Sequence, residues 1–284
     1  MFWRRALSVV VLVPLILLIV YFGDQEDRFG GLFYLLLVSA AVLMMQIEYC
    51  RLAENFGAKL NPVLPTILTV AFCLFAFFLP TPIEKATTSL ILFSFFVVVF
   101  IYAFASSIFR GKVAGELLSV TLKLTGILTI GWSFGYHCIL LRKAEPVGMQ
   151  LIFLLIGTIW CSDTGAYLIG RAVGKHKLST PISPRKTVEG TIAGFVVGTL
   201  VSMALSTIFL KETLSLANAA LIGLLLSILG QLGDLSVSLM KRTAGVKDSG
   251  DVIPGHGGFL DRCDSLIFSA PSLYYYLALT GVIT

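Results

Sequence analysis

Apolar residues run through the chain in long blocks separated by short polar stretches. Nine blocks have the length of a membrane span, at roughly 6–23, 31–50, 62–80, 87–106, 117–141, 149–169, 187–210, 215–240 and 265–282. About 20 apolar residues in helical geometry cross a hydrocarbon core of about 30 Å. The pattern predicts an all-α polytopic membrane protein with nine transmembrane helices. Residues 1–284 read as one integral-membrane domain, with spans one to five in 1–145 and spans six to nine in 146–284. The first block follows Arg4-Arg5 and has no small-x-small cleavage site after Gly23, so it reads as a retained helix rather than a signal peptide.

Composition agrees with the pattern. Hydrophobic residues make up 57% of the chain and charged residues 13%, and the mean hydropathy is +0.92. A disordered chain, a collagen-like chain and a soluble globular domain are excluded on these grounds. Five cysteines are scattered without a CxxC pair and read as buried thiols rather than a disulfide framework or zinc site.

The distribution of charge sets an orientation. With the N-terminus in the cytoplasm, 15 of the 21 Lys and Arg residues fall on the inner side and 5 on the outer side. Lys123 lies within span five near its inner end, where it is expected to snorkel. Nine spans place the C-terminus outside. The two longest linkers, about 170–186 and 241–264, then share the cytoplasmic face.

Both linkers carry candidate chemistry. The second contains Lys241, Arg242, Lys247, Asp248, Asp251, Asp261, Arg262 and Asp264, and a Pro254-Gly-His256-Gly257-Gly258 turn whose amides suit an anion. Asp261 and Asp264 are spaced to share a face if the ninth helix starts there. Asp234 lies inside span eight, about two turns before its cytoplasmic end. A carboxylate at a helix centre costs about 2.5–3.5 kcal/mol on the insertion scale, and such residues mark interior sites. Ser238 and Lys241 follow at helical spacing on the same face. A structural alternative pairs Asp234 with Lys241 or Lys123 to tie helices together.

The first linker places Asp163 in the last turns of span six, at the depth of Asp234. Arg171, Lys175, Lys177, Arg185 and Lys186 follow with no acid before Glu189. Attraction to anionic headgroups accounts for the charge. It leaves Ser183-Pro184-Arg185-Lys186-Thr187 unexplained, a hydroxyl and cation cluster just before a helix N-terminus that suits phosphate. Neither GxxxxGK[ST] nor GxGxxG occurs, which removes the ordinary nucleotide folds. Gly190, Gly194 and Gly198 form a small-residue stripe and read as helix packing. His137 and His176 have no partner at metal-ligand spacing. Glu48 and Glu54 read as interfacial, and Trp132, Trp160 and Tyr274–Tyr276 as lipid contacts.

Carboxylates beside two basic, Gly-rich loops at a membrane face suit Mg²⁺, which takes one or two carboxylates together with substrate phosphates. The combination points to phosphoryl or nucleotidyl transfer to a lipid that enters between helices.

The stretch from Ser238 to Asp264 resembles the signature of the phosphatidate cytidylyltransferases, S-x-x-K-R-x4-K-D-x-[GSA]-x2-[hydrophobic]-P-x-H-G-G-x-x-D-R-x-D. All its fixed positions are met, with Cys263 where an aliphatic residue or Thr is usual. Asp163-Thr-Gly-Ala-Tyr167 and Ser183–Thr187 resemble the family's upstream motif, with Arg185 where Lys is common. The resemblance covers about residues 160–264. It implies the reaction of CTP with phosphatidic acid to give CDP-diacylglycerol and pyrophosphate. It also implies Mg²⁺, paired with K⁺ in at least some members, held by Asp234, Asp261 and Asp264. Asp234, Asp261, Lys241 and Arg262 then become catalytic. Substrate binding falls to Asp163, Ser183, Arg185, Lys186, Thr187, Ser238, Arg242, Lys247, Asp248, His256, Gly257 and Gly258. The expected partners are CTP, phosphatidic acid and the bilayer, with no nucleic acid. A homodimer through the glycine-striped span is left open. The expected location is a bacterial plasma membrane with the active site facing the cytoplasm. Two alternatives stand beside this reading: a CTP-dependent polyprenol or lipid kinase, and an anion transporter with Asp234 and Lys123 as coupling charges.

Overall fold

The computed structural model describes residues 30–58, 60–78, 85–111, 113–179, 181–250 and 257–283. The first expected span (6–23), the Pro80–Pro82 connection and His256 lie outside the described residues. The helices are α1 (Gly30–Asn55), α2 (Val63–Phe78), α3 (Lys85–Ile108), α4 (Glu116–Gly126), a π-helical stretch (Ile127–Tyr136), α5 (His137–Lys143) and α6 (Gly148–Val173). Strands β1 (Lys177–Ser179) and β2 (Ser183–Thr187) follow, then α7 (Val188–Phe209), α8 (Leu216–Thr243), α9 (Leu260–Cys263) and α10 (Leu266–Leu279).

Eight of the nine expected spans thus correspond to helical segments, but they are not equivalent. Among the described residues six helices are long and apolar enough to cross a membrane, with α4, the π-helical stretch and α5 counting as one, Glu116–Lys143. Helix α2 has 16 residues. The expected ninth span, 265–282, corresponds to α10, which has 14 residues and is separated from α9 by a turn at Asp264-Ser265. Among the described residues the chain is predominantly helical, as expected of an all-α membrane protein, and adds one short antiparallel hairpin between α6 and α7.

The chain divides into two compact units, one comprising the described residues up to Ile139 with Thr243–Leu260, the other Leu140–Arg242 with the residues from Asp261. In the first, Phe72 of α2 is fully buried and packs edge-on against Phe95 and Tyr136. The π-helical stretch approaches α2 through Gly131 and Gly135, where a Cβ would press on Thr69 and Cys73. Lys123 does not snorkel. It is 1% exposed and donates to Ser106 Oγ at 2.7 Å and Ser107 Oγ at 2.8 Å. These neutral acceptors hold the ammonium group within the unit.

In the second unit α7 shows why the membrane pattern was readable. Gly190, Gly194, Gly198, Ser202 and Ser206 are buried along one face, while Ile192, Val196 and Leu200 are exposed. The buried face of small residues lets helices approach closely, as membrane packing requires. A Cβ on Gly194 would meet Ala166 and Ser162 of α6, and one on Gly198 would meet Ser227 of α8. The stripe is therefore packed within the chain. The cysteines are all free thiols. Cys50, Cys73 and Cys138 are buried as expected, but Cys161 is exposed and Cys263 half-buried.

Candidate active site

The site is built within the second unit, from α6, the hairpin, α8 and the turn between α9 and α10. The hairpin occupies the stretch expected to be loop. Thr187 pairs with Lys177 and Ser183 with Ser179. Pro184 is tolerated because a two-stranded ribbon has only edge strands. Its base is closed by Val188 N donating to His176 O at 2.9 Å, and the Glu189 carboxylate lies 2.6 Å from His176 Nδ1. Glu189 thus anchors the hairpin rather than serving as a stray acid at its end.

Within this frame the cluster of motif residues divides by task. Thr187 is buried and its hydroxyl accepts from Gly190 N at 3.2 Å, capping α7. This is a helix-start role. Lys186 reaches the carboxylate of Asp234, with Nζ 2.6 Å from Oδ2. Arg185 is exposed. Arg242 Nε donates to Ile182 O at 3.2 Å, tying the end of α8 to the hairpin turn.

Asp234 collects its neighbours by helical spacing and by close backbone approach. Ser238, one turn on, donates to Asp234 Oδ1 at 3.2 Å. Gly233 allows α8 to lie directly against the backbone of Asp264 and Ser265, where any Cβ would collide. Asp234 is consequently within electrostatic reach of Asp264, and also of Asp163 on α6. Ser265 Oγ joins the last two, donating at 3.3 Å to Asp163 Oδ2 and lying 3.3 Å from Asp264 Oδ1. Asp264 is 8% exposed. Burial first, and the Asp234 charge second, push its carboxyl above the usual carboxylate range.

Asp261 has a different environment. It is paired with Lys241 of α8, both side chains being largely buried. The expectation of Asp261 and Asp264 as equivalent members of one helix face therefore resolves into two settings. One is a neutralised ion pair and the other belongs to a set of three carboxylates. Arg262 is exposed on the same short helix.

Among the described residues no three His, Cys, Asp or Glu side chains form a ready-made metal cage. Mg²⁺ does not demand one, since it keeps water and takes substrate phosphates as ligands. The hard oxygen donors of Asp163, Asp234 and Asp264, and the burial and Asp234 charge that keep Asp264 reluctant to ionise, fit such an ion.

Lys247, Asp248, Gly257 and Gly258 belong to the first unit. Lys247 and Asp248 are exposed. Gly257 has φ 79°, a backbone that a side chain would strain. Sequence reasoning missed Glu48, taken as interfacial but 1% exposed. An acid inside an apolar block was the available signal, the same one that singled out Asp234.

Comparison with known proteins adds an independent line. A family model described as the cytidylyltransferase family matches residues 3–280. The chain is 48% identical over 134 residues to a phosphatidate cytidylyltransferase of Synechocystis, covering 47% of this chain and 45% of that protein. It is 46% identical over 153 residues to one from Bacillus subtilis, covering 53% and 55% respectively. A third, from Staphylococcus saprophyticus, is 43% identical over 150 residues, covering 53% and 56%. The chain spans about half the length of the curated relatives it matches.

Proposed function

The chain belongs to the cytidylyltransferase family, and from that premise we propose that it transfers the cytidylyl group of CTP to phosphatidic acid, giving CDP-diacylglycerol and pyrophosphate. The observation that carries this reading is the Lys186–Asp234 pair beside Asp163 and Asp264, a cation and three acids gathered from four separate elements. Such a set can bind polyphosphate and metal together.

In the proposed reaction a phosphate oxygen of phosphatidic acid attacks the α-phosphorus of CTP. The bond from that phosphorus to the β-phosphate oxygen breaks, and pyrophosphate departs with its electron pair. The nucleophile is already anionic, so no strong general base is needed. Asp234 and Asp264, with Asp163, would hold Mg²⁺; Asp261, expected beside them, would keep Lys241 oriented. The bound ion would neutralise phosphate oxygens and lower their mutual repulsion. Lys186 would exchange Asp234 for a phosphate oxygen of substrate, and Lys241 would supply positive charge beside it. Ser238 would keep the Asp234 carboxylate in one orientation.

The apolar helices and bacterial relatives support a multi-pass protein of a bacterial plasma membrane. The 15-to-5 division of Lys and Arg supports a cytoplasmic N-terminus and site. The test is incubation of purified protein with phosphatidic acid, Mg²⁺ and CTP labelled at the α- or the γ-phosphate. The α-label should enter lipid with release of pyrophosphate. Transfer of γ-label alone would identify a lipid kinase instead, and label in neither lipid product would remove the enzyme reading.

A further inference from the structure

Glu48 sits on α1, about two turns before its end, with both carboxylate oxygens engaged. Oε1 accepts from Phe259 N at 2.9 Å. Oε2 accepts from Ser249 Oγ at 2.8 Å and from Leu260 N at 3.0 Å. Ser249 and Phe259 lie on either side of residues 251–256 in the chain. A single side chain from α1 therefore ties Ser249 to Phe259 and also receives the first amide of α9. Asp261 is the next residue of that helix.

Two glycines make this approach possible. A Cβ on Gly250 would fall 2.9 Å from Glu48 Oε1, and one on Gly258 would collide with Glu48 Oε2 and Ser249 Oγ. The sequence suggested an anion cradle at Gly257-Gly258. The geometry gives Gly258 to the Glu48 carboxylate and leaves Gly257 to the left-handed turn before it.

We propose that Glu48 is a positioning residue for the transfer reaction: its carboxylate ties Ser249 to Phe259 and Leu260 and so sets the start of the helix that carries Asp261. The role requires a carboxylate specifically. Among the described residues the three groups that bond to Glu48 are donors, so both oxygens must accept. A glutamine would turn an N–H donor toward another donor, and a buried donor without an acceptor is costly. Displacement of a reacting group by about 1 Å can cost about 100-fold in rate, so loss of the clamp is expected to appear in turnover.

The turnover arm rests on the cytidylyl-transfer reading, whereas the cleavage arm does not. Full-length protein and its Glu48→Gln variant are compared by Lys-C cleavage after the exposed Lys247 and by kcat and KM with α-labelled CTP, normalised to folded protein. Cleavage after Lys247 should accelerate by about tenfold or more, and kcat should fall by about tenfold or more with KM for phosphatidic acid little changed. Ser249→Ala removes one donor and keeps both backbone bonds, so it should shift both readouts in the same direction by less. If Glu48→Gln does not fold, Ser249→Ala decides. Wild-type cleavage, or faster cleavage with wild-type kcat in the folded fraction, would overturn the proposal. A wild-type protein that transfers no label would defeat the catalytic reading while leaving the Lys247 cleavage arm to report on the clamp.

Discussion

Lys186 Nζ stands 2.6 Å from Asp234 Oδ2, so a cation carried by a short hairpin grips a carboxylate carried by a membrane-length helix. Neither residue is fully buried, which leaves both open to exchange partners with an incoming phosphate and cation. Asp234→Asn should lower turnover by about 100-fold or more while the protein remains folded and inserted. Lys186→Ala should raise KM for CTP and lower the Mg²⁺ concentration needed for half-maximal rate, because the competing cation on Asp234 is gone. Titration of Mg²⁺ at several CTP concentrations separates the two effects. An unchanged Mg²⁺ requirement would show that the pair does not compete with metal.

The Lys241–Asp261 pair poses a different energetic problem. Side-chain exposures are 11% and 7%, so each charge depends on the other. Removing one partner of a buried pair typically costs about 3–5 kcal/mol, whereas removing both is far cheaper. Lys241→Met should therefore lower the melting temperature in detergent sharply, and Lys241→Met with Asp261→Leu should recover most of the loss. Both proteins should be inactive. Additive melting-temperature losses in the double variant would show that the two side chains are not coupled.

How much of this was legible in the sequence depended on the range of the interactions. The α7 face was readable because Gly190, Gly194 and Gly198 repeat every turn while Ile192, Val196 and Leu200 fall opposite. Asp234 and Ser238 were readable because helical spacing alone brings them together. The hairpin was not: its strands have 3 and 5 residues, too short for a period, and Pro181 and Pro184 argued for irregular backbone. Lys123 defeated the snorkelling argument because it finds hydroxyls on α3, 16 and 17 residues earlier. The partners of Glu48 were beyond reach for the same reason, since they lie 201 to 212 residues away. The separate short helix α9 was also hidden, because the stretch from Asp261 to Ser265 looks like an ordinary helix start.

Gly233 should be far less tolerant than other glycines in the helices. A Cβ there would run into the backbone of Asp264 and Ser265, which cannot rotate away. At Gly157 the nearest atom is Leu205 Cδ1, at the end of a flexible side chain. Gly233→Ala should cost about 1–3 kcal/mol of stability and reduce kcat beyond what unfolding explains, since Asp264 must move away from Asp234. Gly157→Ala should stay close to wild type in both. The comparison needs only melting curves and initial rates. Equal behaviour of the two variants would contradict close packing of α8 on the Asp264 turn.

Asp264 offers the clearest separation of stability from activity. Its carboxyl is buried, and burial together with the Asp234 charge makes ionisation unfavourable. In chelator, Asp264→Asn removes that repulsion and keeps the side-chain oxygen that accepts from Ser265 N at 2.7 Å. The variant should therefore melt at a higher temperature than the parent. Adding Mg²⁺ should raise the melting temperature of the parent more than that of Asp264→Asn, because binding to the folded state stabilises in proportion to affinity. Turnover in the variant should be nearly lost. Sites that assemble like charges commonly give up stability for function. A variant that melts lower than the parent in chelator would mean that the Asp264 carboxylate is already neutralised by a group other than the proposed ion.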